Sequence, residues 1–150
     1  MVRSKLKLIM LISKFNSFFN FPPEIWRKLI LISFSIFFIG AGIDHFNNQE
    51  FYLSIMPPFL PFHIEAVLIS GFFEIMGGIG LLISKFRSKA AWGLLALLIS
   101  VYPANIYMAF NPDEFIQYPI ILLYLRLVLQ FIAFYWAFIL TTEPFNPSKK

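Results

Sequence analysis

The sequence predicts an all-α fold: a four-transmembrane-helix bundle with a short N-terminal interfacial amphipathic helix. Of its 150 residues, 59% are hydrophobic and 13% are charged, whereas about a quarter of the residues in a soluble domain are charged. Four stretches approach the roughly 20 apolar residues that a spanning helix requires. The basic residues fall between these stretches in an alternating pattern, which supports an even number of spans.

The N-terminal segment 1–20, "MVRSKLKLIMLISKFNSFFN", is too interrupted to be a signal peptide. Its apolar run is short, Lys14 follows that run, and no small-residue cleavage site comes after it. We predict a cytoplasmic interfacial helix with lysines toward lipid headgroups and apolar side chains dipping inward. A disordered tail is the alternative.

The transmembrane domain is predicted to cover residues 21–143, with spans at 29–46, 62–83, 90–110 and 118–140. The connector after the first span contains "IMPPFLP", residues 55–61. Three prolines within five residues cannot continue a helix, so we expect a stiff, extended link there. Residues 144–150 are predicted to form a cytoplasmic tail.

The charges around the spans predict the orientation of the chain. Lys and Arg precede span one, fill the link between spans two and three, and end the chain. The other two links contain no Lys or Arg and carry the acidic side chains of Asp44, Glu50, Asp113 and Glu114. Because positive segments stay in the cytoplasm, we predict a multi-pass protein of the cell (inner/cytoplasmic) membrane, with both termini cytoplasmic and the lipid bilayer as its partner.

Two opposite charges interrupt the apolar spans. Glu74 lies within "ISGFFEIMGGIGLLI", residues 69–83, and Arg126 lies within span four. At about 1.5 Å per helical residue, Glu74 is expected about 18 Å and Arg126 about 12 Å from the outer surface, a difference that an extended arginine side chain can cover. An isolated charge at the bilayer centre costs at least about 2.5 to 3.5 kcal/mol, and an arginine fork can hold a carboxylate bidentately. We therefore predict a Glu74–Arg126 ion pair inside the bundle. It serves either a polar pocket or helix packing alone.

Other polar side chains are predicted at the same level of the bundle. The complete predicted pocket is His45, Glu74, Tyr102, Asn105, Arg126 and Gln130. Three members have structural alternatives: an interfacial hydrogen bond for His45, packing for Tyr102, and contact with carbonyls freed by Pro103 for Asn105. The glycines of span two, Gly71, Gly77, Gly78 and Gly80, are expected to allow close helix approach.

Several classes of function are disfavoured. The chain has no cysteine, and we expect no metal site and no catalytic residues, so it is not predicted to be an enzyme on its own. Nucleic-acid binding is not expected either, because the basic residues are explained by membrane topology.

Four segments resemble the DoxX or DoxX-like family of small four-helix membrane proteins, across about residues 40–131. They are "GIDHF", "IMPPFLPFHIEAVLISGFFEIMGGIGLLI", "AAWGLLALLISVYPANIYMA" and "RLVLQ". The matching motif positions are His45 and Phe46, Glu74 with Gly77 and Gly78, residues 103–105, and Arg126 with Gln130. The resemblance implies a four-helix membrane subunit associated with a quinone-linked oxidoreductase or with redox-defence proteins.

Three hypotheses for function follow. The first is a membrane subunit or small-molecule (quinone-like) binding partner of a redox system, with quinone as the candidate cofactor and a redox protein as the candidate partner. The second is a structural or chaperone-like interaction protein. The third is a small transporter or a proton pathway through Glu74, which would require a homodimer because four spans make a thin bundle for alternating access.

Overall fold

The computed structural model describes residues 2–19, 21–22 and 24–142, and within these residues the chain is helical without strands. The described part contains six α-helices and one short 3₁₀ helix. In chain order they are α1 (Val2–Phe19), α2 (Ile25–Asn47), α3 (Gln49–Ser54), α4 (His63–Leu82), α5 (Arg87–Phe110), the 3₁₀ helix (Pro112–Phe115) and α6 (Ile120–Thr141).

Four helices of the bundle, α2, α4, α5 and α6, are long and apolar enough to cross a membrane. This confirms the predicted all-helical fold of a multi-pass membrane protein with four candidate spans. α2 and α5 begin several residues before the predicted spans because Arg27, Lys28 and Arg87 end the apolar run without ending the helix. The predicted tail 144–150 lies outside the described residues.

The two ends of the bundle differ in charge. We call the end with the α4–α5 link the basic end, since Lys85, Arg87 and Lys89 lie there. We call the opposite end, with the α2–α4 and α5–α6 links, the acidic end. Consecutive spans run in opposite directions, and α4 packs between α2 and α5 while α6 packs on α5. Large apolar side chains such as Phe37, Ile69 and Ile121 point outward, as expected for a lipid-facing surface.

Two apolar clusters hold the bundle together. The larger one occupies the basic half and contains Leu31, Phe38, Leu81, Leu94 and Leu140. The smaller one lies at the acidic end and joins Ile55, Met108, Phe115 and Leu123. Along α5 and α6, the polar side chains come between the residues of these two clusters, so apolar packing fixes them from both sides.

Glycines on α4 allow close contact on two faces of this helix. A Cβ added at Gly78 would lie 2.8 Å from the Ser35 carbonyl oxygen of α2, and one added at Gly80 would lie 2.8 Å from the Ala90 Cβ of α5. Gly71 also faces α2, and Gly77 also faces α5. The predicted role of these glycines in close helix approach is therefore confirmed.

The C-terminal end of α1 is tied to the basic end by hydrogen bonds. The Arg87 guanidinium, 2% exposed, donates to the carbonyl oxygens of Leu81 at 2.9 Å and Phe19 at 2.7 Å. The Ser84 hydroxyl donates to the Phe18 carbonyl at 2.8 Å. A cation at helix C-termini satisfies carbonyls that lack helical partners. Arg87 thus caps α1 and α4 together, whereas its charge alone had indicated only a topology signal.

The α2–α4 contact can be tested with two glycines of α2. A Cβ at Gly42 would lie 2.6 Å from the Gly71 carbonyl oxygen, a backbone atom that cannot move aside. We expect Gly42→Ala to lower the free energy of unfolding by about 1 to 3 kcal/mol through overpacking, measured by thermal unfolding in detergent. Gly40→Ala is the control, since nothing lies within 4 Å of its added Cβ. Equal losses in both variants would contradict this contact.

Candidate functional site

The polar side chains of the bundle form two separate clusters in its acidic half. The first, which we call the imidazole cluster, contains Asp44, His45, Tyr52 and Glu74. The second, the guanidinium cluster, contains Asn105, Arg126 and Gln130. Each joins neighbouring helices: α2, α3 and α4 in the first, and α5 and α6 in the second.

His45 and Glu74 meet across the antiparallel α2–α4 contact. Side chains lean toward the N-terminus of their own helix. His45, near the end of α2, therefore leans toward the basic end, and Glu74, in the middle of α4, leans toward the acidic end, so the two side chains approach each other. His45 Nδ1 lies 2.9 Å from the Val67 carbonyl oxygen, and His45 Nε2 lies 3.5 Å from Glu74 Oε2. Both residues are 7% exposed. Glu74 Oε2 has no hydrogen-bond partner among the described residues, and the imidazole is the basic group that lies within 4 Å of it there.

Tyr52 of α3 covers this pair from the acidic end. Its ring stacks on the His45 imidazole with centroids 3.7 Å apart. Its hydroxyl donates a hydrogen bond of 2.9 Å to Asp44 Oδ2, and the Asn48 amide donates to Asp44 Oδ1. Burial, followed by the hydrogen bond to Asp44, raises the pKa of Tyr52 above its ordinary value. The phenol therefore remains a donor that fixes the ring over His45.

The guanidinium cluster is a directed series of hydrogen bonds. Arg126 Nε and Nη2 donate to Asn105 Oδ1 at 3.2 and 2.8 Å. The Asn105 amide nitrogen donates to Gln130 Oε1, and Gln130 Nε2 donates to the Leu98 carbonyl at 2.8 Å. A guanidinium can only donate and a carbonyl can only accept. The two ends of the series therefore fix the orientation of both amides.

The predicted Glu74–Arg126 ion pair is wrong: Glu74 faces His45, and Arg126 holds Asn105. The two charges were matched by depth, but depth does not determine which helices are neighbours. α4 packs on α2 and α5, whereas α6 packs on α5. α3 contacts both clusters, since its Tyr52 stacks on His45 and its Phe51 ring centre lies 5.8 Å from the guanidinium carbon of Arg126.

The other predicted pocket residues divide between the clusters and the apolar packing. His45, Asn105 and Gln130 all join a cluster. Tyr102 does not; its ring makes edge contacts with Phe131 and Phe134, with centroids 6.0 Å apart in each case. The Asn105 amide hydrogen-bonds the side chains of Arg126 and Gln130, not the backbone carbonyls near Pro103. A backbone carbonyl of α5 is instead bonded by Gln130, which donates to Leu98.

A groove opens beside Arg126 toward the acidic end. Its volume is about 310 Å³, and its lining residues are Phe51, Met108, Tyr118, Leu122, Leu123, Leu125, Arg126 and Leu129. We call it the Arg126 groove. Arg126 lies six residues after Ile120, the first residue of α6, so its Cα is about 9 Å below the start of the helix at 1.5 Å per residue. In the described chain, no carboxylate lies within 4 Å of the guanidinium.

Sequence reasoning missed the two aromatic residues of α3. Phe51 and Tyr52 lie in a short link that no periodic pattern connects to the spans, so no signal in the sequence places their side chains at the site. Among the described residues, no group of three His, Asp or Glu side chains is arranged to hold a metal ion. The ionisable groups of the two clusters are the Arg126 guanidinium, the His45 imidazole, the Tyr52 phenol and the carboxyls of Asp44 and Glu74.

The guanidinium cluster can be tested by removing its central amide. Asn105→Ala leaves Arg126 without its acceptor and Gln130 without its donor. We expect a loss of about 1.5 to 3 kcal/mol in the free energy of unfolding, the usual range for hydrogen bonds to charged groups, measured by denaturation in detergent. Ser100→Ala is the control on the same helix, since this exposed hydroxyl bonds only the Ala96 carbonyl. A loss no larger than that of Ser100→Ala would contradict the cluster.

The comparisons with known proteins concern the region that contains both clusters. No curated protein and no solved structure matches the chain. One family model matches residues 34–141, from the middle of α2 to the end of α6. This region covers more than two thirds of the chain and includes the glycine contacts, both clusters and the Arg126 groove. The chain therefore belongs to the family described as domain of unknown function DUF8561.

Proposed function

We propose that this protein is a membrane-embedded partner of a redox system and binds a lipid-soluble, quinone-like molecule in the Arg126 groove. The observation that carries the proposal is a guanidinium at membrane depth whose hydrogen-bond partner in the described chain is a neutral amide. A charge in that position is costly and is typical of a functional site. The motif resemblance to the DoxX family, which stays a prediction, points to the same class of function.

The groove suits a molecule with an apolar ring and hydrogen-bond acceptors. Arginine carries five N–H donors in a planar fork, and Asn105 Oδ1 accepts two hydrogen bonds from this fork. The remaining donors can bond a carbonyl oxygen of the ligand. The volume of about 310 Å³ is at the lower end for ligand pockets, which suits one ring. An isoprenoid tail would lie along the exposed side chains of Leu125 and Leu129.

We assign to this chain the binding and orientation of the molecule rather than its oxidation or reduction. The chain has no cysteine, and the groove is lined by apolar and aromatic side chains around one guanidinium. Arg126 would favour a ligand oxygen that gains negative charge, because the apolar walls strengthen this interaction. Electrons would come from a partner protein.

The charged ends of the bundle also support an orientation. We propose that the basic end faces the cytoplasm and the acidic end faces the outer side of the inner membrane, following the positive-inside rule. Both chain termini are then cytoplasmic. The Arg126 groove would lie in the outer half of the bilayer, close to the headgroups.

Quinone binding tests the proposed ligand. We expect purified protein to bind a short-tailed quinone saturably, with Arg126→Gln weakening the affinity about 10- to 100-fold because it removes charged hydrogen bonds of about 1.5 to 3 kcal/mol. Tryptophan fluorescence quenching or calorimetry in detergent measures the affinity. Lys89→Gln is the control, since it removes an exposed cation at the basic end.

Three outcomes would contradict this proposal. If wild type and Arg126→Gln fold equally and bind quinone with equal affinity, the quinone does not bind in the Arg126 groove. Binding of a fatty acid without binding of quinone would assign the groove to lipid carboxylates. A folding loss in Arg126→Gln with no ligand bound by the wild type would support the structural hypothesis instead.

Cysteine labelling tests the orientation, and the cysteine-free chain needs no background mutations. Lys85→Cys marks the basic end and Gln117→Cys marks the acidic end; both positions are exposed. In intact cells, we expect a membrane-impermeant maleimide to label Gln117→Cys at least tenfold more than Lys85→Cys, with equal labelling after lysis. The reverse pattern would overturn the proposed orientation.

A further inference from the structure

The contacts of the imidazole cluster restrict where protons can lie on His45 and Glu74. The proposed function does not depend on this restriction. The Val67 carbonyl can only accept a hydrogen bond, so the His45 Nδ1 atom beside it must carry a proton. In a neutral imidazole, Nε2 then presents a lone pair. This lone pair faces Glu74 Oε2 at 3.5 Å. If Glu74 were ionised as well, lone pairs of both groups would face each other with no proton between them.

We propose that Glu74 and His45 form a binding site for one exchangeable proton, filled from the acidic end of the bundle. With this proton the pair is either a carboxylic acid beside a neutral imidazole, or a carboxylate beside an imidazolium. Both states have zero net charge. Without the proton the pair carries a negative charge, and with a second proton it carries a positive one. Burial in apolar surroundings disfavours both charged states.

The neighbouring groups do not supply a permanent counter-charge for Glu74. From α2 the facing titratable groups are Asp44 and His45, and from α3 the facing group is Tyr52. α5 places no titratable side chain within ion-pair distance of Glu74 in the described chain, and no Lys or Arg there comes within 4 Å. Asp44 is a second acidic side chain, and it accepts a hydrogen bond from the Tyr52 hydroxyl. The proton on the pair is therefore the nearest positive charge available to Glu74.

The pair lies close to the acidic end of the bundle. His45 lies two residues before the last residue of α2. The adjacent Asp44 lines an open cavity of about 710 Å³ at the acidic end, together with Asn48 and Glu50. Glu74 lies deeper, in the middle of α4. His45 therefore lies between the residues of this cavity and Glu74, and for this reason we place the entry of the proton at the acidic end.

Spectroscopy on the full chain counts the protons on the pair. Infrared spectra report whether the Glu74 carboxyl is protonated, and ¹⁵N NMR reports whether the imidazole has one or two N–H groups. At pH 7, we expect exactly one proton in addition to the Nδ1 proton: an acid with a singly protonated imidazole, or a carboxylate with a doubly protonated one. A carboxylate with a singly protonated imidazole would overturn the proposal.

Four single variants assign the infrared and ¹⁵N signals to individual residues. Because several variants are measured, the proposal stays testable if one of them fails to fold. His63→Gln identifies the His45 resonances, because the chain has two histidines. Glu74→Gln should abolish any protonated-carboxyl band and leave His45 singly protonated at pH 7. His45→Gln should retain a protonated carboxyl. Glu65→Gln is the control on the exposed end of the same helix and should change neither spectrum. Loss of the band in Glu65→Gln but not in Glu74→Gln would overturn the assignment. None of these measurements depends on a ligand in the Arg126 groove.

Discussion

The absence of water inside the bilayer is the constraint on which the structure depends. Any polar group placed there must find its partner within the protein, and the partner must come from a helix that packs alongside. α2 and α4 therefore pair His45 with Glu74, while α5 and α6 share the amides of Asn105 and Gln130. Pairing between neighbouring helices explains why the polar residues form two clusters rather than one pocket.

The glycines of α4 determine the positions of the site's side chains as well as the spacing of the helices. A Cβ added at Gly71 would lie 2.6 Å from the His45 Cβ, so the missing side chain of Gly71 is the space that His45 occupies. One turn further along α4, Glu74 faces the same imidazole. The close approach of α2 and α4 and the carboxyl–imidazole contact are thus two consequences of the same small residue. A larger side chain there would separate the helices and the pair together.

The features that could be predicted from the sequence are those encoded locally along the chain. Hydropathy and length identify the four candidate spans, and glycine spacing identifies the close faces of α4. The rotation of each helix and the identity of its neighbours depend on tertiary packing, so depth alone paired Glu74 with the wrong partner. The cap formed by Arg87 depends on the return of α1 to the basic end. The positions of Phe51 and Tyr52 depend on the path of a short link, which has no periodic signal.

α3 connects the two clusters that the spans keep apart. Phe51 and Tyr52 are consecutive residues on one helix, so their side chains point about 100° apart and can cover different sites. Phe51 lines the Arg126 groove, whereas Tyr52 stacks on His45 and bonds Asp44. Any molecule that fills the groove must contact Phe51, one residue from the ring that covers the imidazole. Both the proposed ligand and the proposed proton site would therefore contact the same six-residue helix.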